Sequence, residues 1–354
     1  MKKLSTILLG FCSISFFFSC KQKNSNTFAV KEFVVAEGQM PSLVRAGDDG
    51  VDLVYGKGDS ILYTHSNDGK AFSDPVLVDV LPGLYSFATR GPQIAETDSG
   101  PVITACTQEG NIFSYYKKGS NWFKGALVND TAGIAKEGLM DLSADGKKVF
   151  AVWLDLRGNQ RNKIVGARSE DGGKTWLPNK ILYVSPDSVV CACCKPSVAV
   201  HGKEVDVMFR NWLGGNRDLY LLHSTDGGVS FSPAQKLGEG SWILNACPMD
   251  GGGLAINENG KVQTVWRRKD SIYADVPGEK EKLLGAGKNC TVANVRDQFY
   301  FAWSDSSKIR LLTPDGKKLS LGEGMLPVMT SINEHEILCA WEDEQQIHAA
   351  LIHL

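Results

Sequence analysis

The chain has 354 residues, with 38 Lys and Arg against 40 Asp and Glu, a formal net charge of −2 and a charged fraction of 22%. No long Lys/Arg block interrupts this balance, so the electrostatic footprint of a nucleic-acid-binding protein is missing. Once a short leader is set aside, about 330 residues remain, more than one compact core usually holds unless the architecture is a repeat or a large barrel. The 37 glycines suit many short strands joined by turns.

The N-terminus carries Lys2 and Lys3, an apolar stretch from Ile7 to Phe18, and then Ser19 and Cys20, the pattern of an export signal. That stretch is shorter than the ~20 residues a spanning helix needs. Phe17-Phe18-Ser19-Cys20 resembles the bacterial lipoprotein box, with Phe17 where that family usually has Leu. The resemblance implies a signal peptide over 1–19, a lipid on Cys20 and a place in the cell envelope, periplasmic or surface-exposed. Residues 20–27 then form a polar, flexible tether, and 28–354 form the folded domain.

Phe28 to Ala36 reads as an isolated strand, with the apolar run Phe33-Val34-Val35. After it the chain repeats a unit of strand, turn, strand, loop, strand, tight turn, strand, with unit starts near Pro41, Pro92, Leu139, Pro196, Gly252, Thr291 and Pro327. Trp153, Trp266, Trp303 and Trp341 fall on the second strand of their units. Four short strands per unit is the pattern of a propeller blade, so the expected fold is an all-β propeller of seven blades, or six if one irregular unit has been split. The last unit runs out at Leu354 after three strands. Pairing the orphan N-terminal strand into it would close the ring and remove exposed sheet edges.

Three of the tight turns share one shape: Ser66-Asn67-Asp68-Gly69 with Phe72, Ser169-Glu170-Asp171-Gly172-Gly173 through Trp176, and Ser224-Thr225-Asp226-Gly227-Gly228 through Phe231. The Asp accepts backbone N–H groups inside the turn, the Gly takes a positive φ, and the aromatic packs under the neighbouring strand. These turns resemble the Asp-box, or BNR, repeat of the sialidase superfamily. That resemblance assigns Asp68, Asp171 and Asp226 a structural role.

In a propeller, the loops between second and third strands open on the same face as the blade entrances, and the Asp-box hairpins lie on the opposite face. The loops sharing the first face run over Tyr85 to Arg90, Ala135 to Gly138, Asp155 to Arg161, Ser188 to Lys195, Arg210 to Arg217, Trp242 to Gly252 and Lys288 to Cys290. The sialidase resemblance implies a carboxylate clamp of arginines, a Tyr/Glu nucleophile pair and an Asp acid/base, which would make the protein an exo-α-sialidase if it is an enzyme. Arg90, Glu137, Asp155, Arg157, Arg210 and Arg217, with Tyr85, are the candidates by position. None matches a family motif residue by residue, and a surface or inter-blade ion pair is the plainer reading of each.

More distinctive are Cys191-Ala192-Cys193-Cys194-Lys195-Pro196 and Cys247-Pro248-Met249-Asp250-Gly251, which enter successive blades. They resemble a subgroup of bacterial sialidase-like BNR proteins with C-x-C-C and Cys-Pro loops. In an oxidising compartment, one of Cys191, Cys193 and Cys194 would form a disulfide with Cys247 and brace the two loops. The alternative is a soft ion such as Cu(I), held by these thiols with Cys290 or Met249. Cys339 lies in an apolar strand and reads as a core thiol, Cys106 is open, and the six scattered histidines form no metal triad. Three functions follow for what is expected to be a monomer: recognition, with or without hydrolysis, of a glycan or other anionic ligand; copper binding or thiol exchange through the cysteine loops; or a scaffold for other proteins.

Overall fold

A computed structural model describes residues 30–187 and 189–354, so the leader, Cys20 and the tether lie outside the described residues. The described chain forms twenty-eight strands and no helix. The strand β1 (Val30–Glu37) precedes the first blade, which is β2 (Gln39–Ala46), β3 (Gly50–Lys57), β4 (Ser60–Ser66) and β5 (Val76–Val80). The second blade is β6 (Gln93–Thr97), β7 (Gly100–Cys106), β8 (Ile112–Lys118) and β9 (Asn121–Leu127), and the third is β10 (Met140–Asp145), β11 (Lys148–Asp155), β12 (Lys163–Ser169) and β13 (Lys180–Tyr183). The fourth is β14 (Ser197–His201), β15 (Glu204–Leu213), β16 (Asn216–Ser224) and β17 (Gln235–Lys236), and the fifth is β18 (Gly253–Ile256), β19 (Val262–Arg268), β20 (Ser271–Asp275) and β21 (Lys282–Ala286). The sixth is β22 (Lys288–Val295), β23 (Gln298–Asp305), β24 (Lys308–Leu312) and β25 (Lys318–Glu323), leaving β26 (Met325–Asn333), β27 (Glu336–Asp343) and β28 (Gln346–His353) for the last.

Each blade is a four-stranded antiparallel sheet in sequence order, and the seventh reads β1-β28-β27-β26. Val30 pairs with Ile352 and Phe33 with Ala349, so the N-terminal strand closes the ring. The blade count is therefore seven, and the sequence repeat has the correct period throughout.

Burial explains which strands are most apolar. Blades pack face to face, so a second strand is covered on both sides and loses the usual alternation. In β11, Val149 through Asp155 are all buried, whereas every residue of the outermost strand β5 is at least partly exposed. Trp153, Trp303 and Trp341 are among the largest fully buried side chains. Trp303 and Trp341 donate from Nε1 to the carbonyls of Ala286 and Glu323 at the outer edge of the preceding blade, which turns one side chain into a link between blades.

The Ser-x-Asp turns connect third to fourth strands and are tied by their own side chains. Asp171 accepts hydrogen bonds from the main-chain N–H groups of Lys174 and Thr175 and from the hydroxyls of Ser169 and Thr175, and Asp226 is bonded in the same way to Ser224 and Ser230. Asp68 makes a reduced set with Lys70 and Ser66. Thr313 and Asp315 repeat the hydroxyl-to-carboxylate bond in the sixth blade, a fourth turn of this kind that lacks the Ser and the aromatic of the pattern.

Candidate functional site

The entrances to the fourth and fifth blades lie against each other on the face opposite the Ser-x-Asp turns. Cys191 N–H donates to the Arg210 carbonyl at 3.1 Å, which fixes the first entrance to β15. At Gly251 a Cβ atom would sit 1.9 Å from the Lys195 carbonyl oxygen, so only glycine allows the two main chains to approach this closely. Cys193 and Cys247, with Cα atoms 6.1 Å apart, form a disulfide across the junction.

Behind that bond are two free thiols. Cys191 Sγ lies 3.4 Å from Cys194 Sγ and 3.7 Å from Cys193 Sγ, and it accepts a hydrogen bond from Arg217 Nη1 at 3.0 Å. Cys191 and Cys194 are fully enclosed, at 0% and 2% exposure, while Cys247 is exposed. The hydrogen bond with Cys194, and then the charges of Arg217 and Arg210, bring the Cys191 thiol down to about 6, and burial holds the Cys194 thiol well above its ordinary value.

The sulfurs of Cys191, Cys193 and Cys194 lie within 4.8 Å of one another, a spacing that suits a soft ion, but one of the three is bonded to Cys247. A three-thiolate copper site therefore does not fit the oxidised cluster and requires the disulfide to open. Cys290 is buried with Val265, Val292 and Trp303, and Met249 is 40% exposed; neither joins the three-sulfur group. Cys339 and Cys106 are buried in blade cores.

The other predicted site residues are committed to the scaffold. Arg210, 1% exposed, donates to the main-chain carbonyls of Asp250, Arg217 and Arg267 at 3.0, 2.6 and 2.9 Å. Arg217 donates to Leu244 O as well as to Cys191. Asp155 accepts from Trp153 Nε1 and from the backbone and guanidinium of Arg157, which also pairs with Asp130. Arg90 donates to Glu137 O and Ala88 O and lies 5.8 Å from the ring centres of Tyr85 and Phe87. Glu137 Oε1 accepts from Asn162, and the Tyr85 hydroxyl donates to Lys136 O. The structure brings Arg210 and Arg217 together, yet it spreads the remaining candidates over separate local networks rather than one clamp.

A cavity of about 280 Å³ opens at the same end of the propeller axis, lined by the first residues of all seven innermost strands. Its wall mixes apolar side chains such as Met40, Leu254 and Leu326 with polar ones such as Ser42, Gln93 and Lys195. Within it, each Asp141 oxygen has one donor, Lys195 Nζ at 2.7 Å and Val198 N–H at 2.9 Å. Asp250 is different: Oδ2 accepts from Asn289 N–H at 2.8 Å, but Oδ1 has no partner among the described residues, although the residue is 1% exposed. The Thr89 hydroxyl, also in the lining, is buried and unpartnered in the same sense. Burial raises the Asp250 carboxyl, against the pull of Arg210 and the Asn289 N–H. Met40, Thr89, Asn289 and Leu326 all take left-handed φ values, between 53° and 68°, which concentrates backbone strain at this mouth. Neither Asp250 nor Thr89 was singled out in the sequence; the one available signal was Asp-Gly-Gly leading directly into a strand.

No protein-family model matches the sequence, and no curated protein does. Solved structures match over most of the chain. Virginiamycin B lyase from Staphylococcus aureus superimposes with a TM-score of 0.55 at 12% identity, covering 93% of this chain and 100% of that one. The SapL1 lectin, solved with α-methyl fucoside, gives 0.52 at 14% identity over 83% and 98%. NanB sialidase from Streptococcus pneumoniae gives 0.45 at 12% over 89% and 68%. At such identities the likeness is one of fold.

Proposed function

We propose that the protein is an envelope lipoprotein, anchored through Cys20, whose propeller binds an uncharged glycan unit in the axial cavity. The observation that carries this reading is the pair of buried, unpartnered polar atoms, Asp250 Oδ1 and Thr89 Oγ1, in a mouth whose wall combines polar and apolar side chains. A buried acceptor without a donor costs roughly 1–3 kcal/mol, which a ligand hydroxyl would recover. A sugar brings several such donors on a ring whose C–H faces suit walls such as Leu254 and Leu326. An anionic sugar fits less well, because Lys195 is paired with Asp141 and the guanidinium of Arg210 is spent on carbonyls. Binding is favoured over hydrolysis because both Asp141 oxygens are already occupied, leaving Asp250 as the single free carboxylate oxygen of the pair.

Calorimetric titration with neutral hexoses and hexosamines, beside sialic acid and glucuronate, tests the reading. Saturable binding of a neutral sugar that weakens at least tenfold in Asp250→Asn and Thr89→Val supports it. Failure of every neutral sugar to bind, or tighter binding of the acidic ones, overturns it. The anchor is tested separately, by incorporation of labelled fatty acid that disappears in Cys20→Ser.

A further inference from the structure

We propose that Cys191 and Cys194 form an internal dithiol that opens the Cys193–Cys247 disulfide from behind, so that the one disulfide of this four-cysteine cluster has two alternative positions. This goes beyond glycan binding and does not depend on it. The argument begins with access. Three of the four sulfurs belong to residues exposed by 8% or less, and only Cys247 is at the surface, so a reagent in solution cannot reach the inner pair. The inner pair, however, is in contact with the bond: Cys191 Sγ lies 3.4 Å from Cys194 Sγ and 3.7 Å from Cys193 Sγ, the sulfur bonded to Cys247, and the three are within 4.8 Å of one another.

The exchange balances without an outside oxidant or reductant. The Cys191 thiolate attacks Cys193 Sγ; a Cys191–Cys193 bond forms as the Cys193–Cys247 bond breaks, and the electron pair leaves on Cys247, which takes a proton from solvent at its exposed position. Cys194 then attacks Cys191 Sγ, forming Cys191–Cys194 and releasing Cys193, which takes up the proton that Cys194 gives up. Two thiols and one disulfide are present before and after. The charges agree with the order of events: Cys191, lowered by Cys194 and the two arginines, is the readier thiolate and attacks first, and Cys194, kept protonated by burial, attacks second as its proton passes to the departing Cys193 sulfur.

The consequence is mechanical. Residues between β17 and β18 cross to the preceding entrance through Cys247, and the exchange removes that covalent tie. Arg217 is the positioning residue, because it holds both Cys191 Sγ and the Leu244 carbonyl on this loop. The freed Cys247 thiol is on the same exposed loop as Ile243 and Met249, which are 81% and 40% exposed, and is presented to a partner disulfide or to a soft metal ion.

The test is native, reductant-free labelling of the full chain with a bulky maleimide, an acid quench, and mapping of cysteine peptides by mass. The expected result is maleimide on Cys247 in molecules that carry a Cys191–Cys194 disulfide. Cys191→Ser should slow the labelling at least tenfold, while Cys194→Ser should label Cys247 and retain a Cys191–Cys193 bond. Cys247 unlabelled in the wild type at pH 8, or labelled at the wild-type rate in Cys191→Ser, overturns the proposal. Labelled Cys247 with Cys191 and Cys194 both still thiols also overturns it, since that product marks opening by an outside reductant. Near-ultraviolet dichroism of each variant, with its resting disulfide mapped, shows that the fold is retained.

Discussion

Arg210 Nη1 donates to the main-chain carbonyl of Arg217 at 2.6 Å, so one of the two arginines whose charges act on Cys191 is a buried clasp for the strand that carries the other. With Asp250 O and Arg267 O as its further acceptors, the guanidinium ties three segments from two blades. Arg210→Met should therefore destabilise by roughly 3 kcal/mol or more, because the carbonyls stay buried while their donors are lost. Arg210→Lys should recover only part of this, since an ammonium cannot span the three acceptors as the planar fork does. Urea unfolding measures both. A midpoint unchanged in Arg210→Met would show that the clasp is dispensable.

The turn glycines press on neighbouring blades. Gly173 has φ +80°, and a Cβ there would sit 2.3 Å from Val102 Cγ2 in the second blade. Gly202 has a similar φ of +60° but meets nothing within 4 Å. Comparing the two separates backbone strain from inter-blade packing. Gly202→Ala should cost about 1 kcal/mol and Gly173→Ala roughly 2–4 kcal/mol, measured by denaturant unfolding. Equal costs would mean that the third-blade turn does not wedge against its neighbour.

Ring closure gives a third expectation. Phe33 packs against Phe72 at a ring separation of 6.3 Å and belongs to the core shared by the first and seventh blades. Removing residues 1–37 would leave the edge of β28 unpaired over the seven residue pairs from Val30↔Ile352 to Glu37↔Gln346. The truncated protein should aggregate or dimerise through that edge, with size-exclusion chromatography as the readout. A stable monomer with an unchanged melting temperature would contradict a closing role for β1.

What the sequence disclosed and what it hid divide along physical lines. The unit starts near Pro41, Pro92, Leu139, Pro196, Gly252, Thr291 and Pro327 fall at or near the first residues of innermost strands, because turn chemistry and apolar runs are local signals. Ring closure was legible because a three-stranded remnant and an orphan strand complete one sheet. The partner of Cys247 was not, since the C-x-C-C run is irregular backbone with no period to say which sulfur faces the neighbouring entrance. The roles of Arg210 and Asp250 were hidden for a related reason. Their partners, or lack of them, are set by main-chain groups from other blades, which leave no mark in the local sequence.

Glu96 predicts a pH dependence of opposite sign to that of an ordinary paired carboxylate. Burial, and then the charge of Asp52, push its carboxyl up to about 7, against the weaker pull of Lys117 and His65, and Glu96 Oε2 is buried with no partner among the described residues. Unfolded, the group would titrate near about 4.3. Between those values the folded state holds a proton that the unfolded state has released, so stability falls as the pH rises through this window, and this group's contribution is fully lost above the folded value. Glu96→Gln keeps the shape and removes the titration. The variant should match the wild type at pH 5 and melt higher at pH 8, as followed by thermal unfolding at the two pH values. If the gap between the two proteins were the same at both, the side chain would be ionised throughout and the buried-proton account of this inter-blade contact would fail.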